Sequence, residues 1–185
     1  MDCINKLEGM GCNMQYIMTE SARIQAVYIA PRAGMPMQSI QKVKLTAGLG
    51  IQGDRYALQI GAFSDNEPKK IRHISLIAQT GIDIANDWLR SGNEPNFDAS
   101  ETRRNIVLSN ISPIELNRFV GKTFFIGKVQ CKGIELCTPC QRPAELLGKF
   151  DFMNAFEGRG GLRAEVLVSG NICIGDAFVP ASIEI

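Results

Sequence analysis

The sequence predicts a mainly β fold of the α+β class: a closed or strongly curled, antiparallel-rich β-barrel core with a few short peripheral helices. Short runs that alternate apolar and polar residues outnumber helical stripes along the chain. Regular helices do not separate those runs, as a doubly wound parallel sheet would require. Two stretches in the second half, KTFFIGKVQCKGIELC (122–137) and LRAEVLVSGNICIGDAFV (162–179), each read as two strands joined by a turn.

Taken in order, RIQAVYIA (23–30) alternates as a strand with one buried face must, and PRAGMP breaks it. SIQKVKLTA (39–47) is a second strand marked by Ile40, Val43 and Leu45, and IRHISLIA (71–78) is a third, more buried one. TGIDIANDWLRSG (80–92) is a helix, because Ile82, Ile84, Ala85, Trp88 and Leu89 fall on one side at helical spacing and Gly92 follows the last turn. SPIELNRFVG (112–121) is a short helix: Ser112 caps, Pro113 suits the first helical position, Glu115 completes a capping box and Gly121 stands past the end. The late hairpins turn at Gly127 and Lys128, and at Ser169, Gly170 and Asn171.

A chain of 185 residues fits one domain, expected over residues 23–185, while residues 1–22 read as a disordered or non-native extension without the basic front and apolar run of a signal peptide. No stretch approaches the roughly 18 consecutive apolar residues of a membrane-spanning helix, so no membrane partner is expected. Lysine and arginine number 20 against 19 aspartate and glutamate, which leaves no overall basic field for nucleic acid. Six cysteines in a chain with ample apolar content are expected to be reduced thiols in a cytoplasm.

GLGIQG (48–53) has the G-x-G-x-x-G spacing of dinucleotide loops, but no helical stripe follows it. Its glycines are expected to serve turns and close backbone approach, with Asp54 and Arg55 placed to line a pocket. ETRRNI (101–106) sets two arginines side by side; on an extended chain they point to opposite faces, one to solvent and one able to clamp a phosphate. GRGGLR (158–163) is a candidate anion loop beside Arg159 and Arg163. His73 is the only histidine, sits in a predicted strand, and is expected to be structural.

GIELCTPCQRP (133–143) carries Cys137 and Cys140 three positions apart. No second close cysteine pair exists to complete a zinc site, and the thioredoxin arrangement around such a pair is missing. Pro143 suits the first turn of a helix, which would put Cys140 just ahead of a helix N-terminus and near Arg142, both favouring the thiolate. The thiolate attacks electrophiles and binds soft metals. Against this stands the bland alternative of two buried cysteines packing as small hydrophobes.

Beyond these local readings, TAGLGIQGDRYA (46–57), IRHISLI (71–77), TRRNIV (102–107), LNRFVGKTFFIG (116–127), ELCTPCQRP (135–143) and GLRAEVLVSGNICIGDAF (161–178), in that order, resemble the MOSC family, named for the C-terminal domain of molybdenum-cofactor sulfurases. The resemblance is to stand-alone bacterial-type members. It implies a β-barrel core and a pocket in which a cysteine carries sulfur or ligates molybdenum in a pterin cofactor. By motif position, that catalytic and metal-binding cysteine is Cys140, with Cys137 an additional thiol. The resemblance also implies cofactor contacts at Arg103, Arg104 and Asn105, to which Asp54, Arg55 and Arg163 are added from the flanking motifs. A chain of 185 residues cannot contain the pyridoxal-phosphate desulfurase domain of the sulfurases, so no pyridoxal-phosphate site is expected. A separate cysteine desulfurase or electron-transfer protein is the expected partner. The activities implied are sulfur transfer or reduction of N-hydroxylated compounds; the alternatives are a non-enzymatic persulfide carrier and a thiol–disulfide switch on Cys137 and Cys140.

Overall fold

A computed structural model describes residues 20–181. The strands are β1 (Arg23–Ile29), β2 (Gln38–Ile40), β3 (Lys42–Thr46), β4 (Gly50–Ile51), β5 (Ile74–Ala78), β6 (Ile106–Ser109), β7 (Thr123–Ile126), β8 (Val129–Leu136), β9 (Leu162–Val166), β10 (Gly170–Cys173) and β11 (Phe178–Pro180). The helices are α1 (Gln79–Ser91), α2 (Pro113–Asn117), α3 (Gln141–Leu147) and α4 (Phe152–Ala155). An eight-stranded sheet runs β11-β7-β8-β9-β5-β6-β1-β2, and β10-β3-β4 form a second, three-stranded sheet. The large sheet is strongly curled without closing. An isolated bridge between Arg23 and Ala177, with Phe178 N donating to Ala22 O at 2.8 Å, Ile24 N to Asp176 O at 2.9 Å and Gly175 N to Ile24 O at 2.8 Å, draws the first strand against the segment leading into the last. The expected extension over 1–22 lies outside the described residues except for its last three, which are bonded to this seam and to Asn110.

Period-2 alternation sorts the side chains of β5 and β6 into two cores. Ile74, Leu76, Ile106 and Leu108 point into the curl, where they meet Phe124, Phe178 and Leu162. Ile77 and Val107 point outward and are covered by Ile82, Ala85 and Leu89 of α1 and by Phe97, Phe152 and Phe156. Coverage on both faces is why this strand pair reads as a continuous apolar run. Ile84 and Trp88, expected on the buried side of α1, are 46% and 47% exposed, because the buried stripe is the narrower one at Ile82, Ala85 and Leu89.

Three expectations change. β5 and β6 pair in parallel across α1, so the chain holds one βαβ unit inside its otherwise antiparallel sheet. The strand expected at 39–47 is split at Gln41, its halves bonding to β1 on one side and to β4 and β10 on the other. The hairpin expected at 162–179 does not form: β9 pairs with β8 and β5, while β10 leaves to pair with β3. Ile172 thereby reaches the core beside Leu45 and Ile51. The earlier hairpin, β7 with β8, forms in the register its sequence predicts, from Ile126 opposite Val129 to Thr123 opposite Lys132. The capping box of α2 also forms, with Ser112 Oγ accepting from Glu115 N at 3.2 Å and Glu115 Oε2 accepting from Ser112 N at 2.9 Å.

Candidate functional site

A cleft opens beside the start of α3. Cys140 is the N-cap residue of that helix, exposed, and lines the cleft; Cys137, three residues earlier, also lines it but is only 2% exposed. Proline at position 143, in the first turn of α3, needs no backbone N–H there, so the chain passes directly from an extended N-cap into the helix. The backbone of Cys137 is anchored by its N–H donating to Gly161 O at 2.8 Å. Gly160 is required behind it, since a Cβ there would lie 2.1 Å from Cys137 O and 3.2 Å from Pro139 Cδ. Within the GRGGLR stretch, Gly160 therefore serves close backbone packing. Arg159 turns away to donate to Ala155 O at 2.6 Å, and only Arg163 of this stretch lines the cleft.

Six arginines line the same cleft, at positions 55, 72, 103, 104, 142 and 163, and no carboxylate does. Their states differ. Arg55 donates to Asp54 Oδ2 at 3.1 Å, and Asp54, 1% exposed, also accepts from Ala30 N (3.1 Å), Tyr56 N (3.1 Å) and Asn105 Nδ2 (3.3 Å). Asn105 spends its amide inside the protein, its Oδ1 accepting from Ser75 N and Oγ and its Nδ2 donating to Tyr28 O at 3.1 Å. It holds β1, β5 and the Asp54 turn together while also lining the cleft. Arg163 is paired with Glu135, which also pairs with Lys70 at 3.0 Å. Burial alone would raise the Glu135 carboxyl, but hydrogen bonds from Lys70 and Arg163 hold it below its ordinary range.

The adjacent arginines of TRRN do not alternate between solvent and pocket; both are half-buried and both line the cleft. Extended geometry fails here because Arg103 closes a 3₁₀ turn (Ala99–Thr102) in the left-handed conformation, φ 61°, outside the range most side chains favour. Arg104 then donates Nε to Gly160 O at 2.7 Å, Nη1 to Thr102 O at 3.2 Å and Nη2 to Cys137 O at 3.4 Å, so three of its donors hold the cysteine loop. Arg103 makes one bond, to Met35 O at 2.9 Å. Burial, then the charges of Arg55 and Arg142, push Arg103 down to about 10, so it remains a cation at neutral pH in a position that an anion would relieve.

Residues 69–179 match the family model of the MOSC domain. This chain belongs to the MOSC domain family. Among solved structures it is similar to the YuaD protein from Bacillus subtilis, at 18% identity and a TM-score of 0.69, covering 86% of this chain and 94% of that one. It is also similar to YiiM from Geobacillus stearothermophilus (15% identity, TM-score 0.62, 87% of this chain and 75% of that one). YiiM from Escherichia coli is comparable (16% identity, TM-score 0.62, 86% and 70%). These likenesses establish the shared fold. No curated protein sequence matches the chain significantly.

Within the MOSC cleft, Arg72 is the residue that the motifs did not single out. The strand expected from Ile71 begins only at Ile74, which frees Arg72 from the sheet and lets it line the cleft between Tyr56 and Phe63. The signal in the sequence was an arginine at the head of the largely apolar run IRHISLIA. His73 beside it is structural: its Nδ1 accepts from Val166 N at 3.1 Å, and burial lowers its pKa. Of the GLGIQG glycines, Gly48 and Gly53 serve turns at φ 74° and 81°, while Gly50, at φ 108° in β4, allows close backbone approach, since a Cβ there would lie 2.4 Å from His73 O; no helix follows. Among the described residues, no group of three or more histidine, cysteine, aspartate or glutamate side chains gathers as a metal site, and no helix is long and apolar enough to cross a membrane.

Proposed function

We propose that this MOSC protein holds a molybdenum–pterin cofactor in the cleft beside α3, with Cys140 as the sulfur that ligates the metal or accepts sulfur. The observation that carries this reading is an exposed thiol in the same cleft as two guanidinium groups, Arg103 and Arg142, that make no ion pair among the described residues. The cofactor combines a soft metal with a phosphate tail, and this donor set fits both ends: a thiol for the metal, and Arg103 and Arg142 for the phosphate. Arg55, Arg104 and Arg163 are committed to Asp54, to backbone carbonyls and to Glu135, and they shape the cleft. When bound, the cofactor supplies two-electron redox chemistry at its metal, which suits reduction of an N-hydroxylated compound with electrons from a separate protein. Exposure at the mouth lets Cys140 meet such a substrate, while Arg104 fixes the loop that presents it. Reduced thiols at Cys131, Cys137, Cys140 and Cys173 suit a cytoplasmic setting.

The test is molybdenum and pterin analysis of protein purified from cells that make the cofactor. Wild type should carry both, and Cys140→Ser should lose most of the molybdenum. Equal, near-zero metal in the two proteins would defeat the reading. A second reading follows from the same exposure: Cys140 is open to a partner desulfurase, whose persulfide would pass its outer sulfur to the Cys140 thiolate and leave as a thiol; attack by Cys137 on the inner sulfur would then release hydrosulfide and leave a Cys137–Cys140 disulfide. Mass spectrometry after incubation with a desulfurase should then show one added sulfur on Cys140; free thiols alone would exclude it.

A further inference from the structure

A second cleft adjoins the first and shares Tyr56, Phe63 and Arg72 with it. It adds Leu49, Lys69 and Lys70, and no carboxylate lines it. Cys140, Arg103 and Arg142 line only the first, so the thiol and the cations assigned to the cofactor leave the second cleft to another ligand.

Arg72 is the least settled cation of the two clefts. Among the described residues it makes no ion pair, and its Nε is buried without a hydrogen-bond partner. Its two Nη groups donate to no acceptor among those residues either but are not buried, which leaves an end-on fork open to the clefts. Burial, then the charge of Arg163, holds this guanidinium below its ordinary range, a state that an anion would relieve.

The surrounding charges favour a ligand with a single negative charge. Lys70 is bonded to Glu135 at 3.0 Å, Arg163 is paired with the same carboxylate, and the field of that carboxylate also reaches Arg72. Arg72 and the exposed Lys69 remain for the ligand, while the field of Glu135 disfavours a dianion. A carboxylate has the matching charge and the planar pair of oxygens that a guanidinium fork binds bidentately.

The other walls are flat and apolar. The Arg72 guanidinium lies 5.1 Å from the Phe63 ring centroid and 5.7 Å from that of Tyr56, so both rings flank the anion position. Tyr56 packs on Gly61, where a Cβ would lie 2.5 Å from its ring carbons, so the ring is held in place by bare backbone. Leu49, 51% exposed, adds apolar surface left half open to solvent. A ring attached to the carboxylate would cover these side chains.

We propose that the second cleft recognises an aromatic carboxylate, its oxygens on Arg72 and Lys69 and its ring against Tyr56 and Phe63. Both of those rings also line the cleft of Cys140, so the site deepens the proposed function by naming a substrate class: N-hydroxylated aromatic compounds that carry a carboxylate. Only that substrate assignment rests on the cofactor reading.

Isothermal titration of the cofactor-free full chain with benzoate, its neutral isostere benzamide, and acetate tests the site. Benzoate should bind about tenfold or more tighter than benzamide, as expected for one bidentate charge-assisted pair, and severalfold tighter than acetate, which lacks the ring. Arg72→Gln should bring benzoate and benzamide within about threefold of each other. Lys69→Gln, at an exposed side chain that lines the second cleft alone, should weaken benzoate about threefold and so places the site there. Benzoate binding no tighter than benzamide or acetate, none of the three binding measurably, or a preference unchanged in either variant would overturn the site, whatever the loaded protein does.

The substrate assignment is read on protein loaded in cofactor-making cells, with reduced methyl viologen supplying the two electrons that, with two protons, convert N–OH to N–H and water. 4-(Hydroxyamino)benzoate should show a KM about tenfold below that of N-phenylhydroxylamine at similar kcat, and Arg72→Gln should erase the difference. Equal KM values in wild type would overturn the assignment. A benzoate site in protein that acquires neither molybdenum nor pterin would defeat the cofactor reading alone and leave the carboxylate site standing.

Discussion

Substituting the two neighbouring arginines of TRRN one at a time should separate stability from anion binding. Arg104→Gln removes bonds to Gly160 O at 2.7 Å, Thr102 O at 3.2 Å and Cys137 O at 3.4 Å. A hydrogen bond from a charged donor contributes about 1.5–3 kcal/mol net; with one bond at full strength and two longer ones, the loss is about 3 kcal/mol. For a chain of this size, that lowers the melting temperature by roughly 6–12 °C. Arg103→Gln removes a single bond, to Met35 O, and also removes repulsion from Arg55 and Arg142, so its melting temperature should stay within about 2 °C of wild type. Phosphate binding should respond in the opposite sense: Arg103→Gln should lose about tenfold and Arg104→Gln, measured below its melting transition, much less. Circular-dichroism melts and phosphate titrations of the two variants provide the comparison. An Arg104 variant as stable as wild type, or an Arg103 variant that melts as early as the Arg104 variant, would refute the division of labour drawn from the hydrogen bonds.

Gly160→Ala forces a Cβ to 2.1 Å from Cys137 O, a backbone atom that cannot swing aside, so it should destabilise the protein by about 2–4 kcal/mol in urea unfolding and raise the alkylation rate of Cys137. In native wild type, iodoacetamide followed by peptide mass spectrometry should label exposed Cys140 well before buried Cys137, and leave Cys131, whose thiol burial pushes up to about 12, unlabelled. Equal rates at Cys137 and Cys140 would contradict the burial difference. Burial holds His73 below its ordinary 6.5, with Glu165 a smaller opposing influence, so the unfolded chain takes up the proton first. The stability tied to neutral His73 is therefore complete above about pH 6.5 and is lost as pH falls below it. Urea midpoints should drop between pH 7 and pH 5, and His73→Gln should flatten that slope.

Elements whose signals are local were legible in the sequence. The β7–β8 hairpin is specified by alternation on both sides of a two-residue turn, and α2 by the Ser112–Pro113–Glu115 cap. Pro143 placed Cys140 at the head of α3 for the same reason. Long-range pairing was not legible: nothing within residues 162–179 states that β10 bonds to β3, more than 120 positions away, because alternation specifies a buried face and not a partner. The paired arginines misled for a related reason. An extended chain predicts opposite faces, but the left-handed turn at Arg103 brings both side chains to one cleft. Which arginines are committed depends on carbonyls and carboxylates from distant segments, Gly160 O and Glu135 among them, so the uncommitted state of Arg72 emerges only once the chain is folded.

The role given to Cys140 is tested most directly by X-ray absorption at the molybdenum edge on protein loaded in cofactor-making cells, comparing wild type with Cys140→Ser. A thiolate bound to the metal predicts one more sulfur scatterer per molybdenum in wild type than in the serine protein. The same sulfur count in both would contradict it.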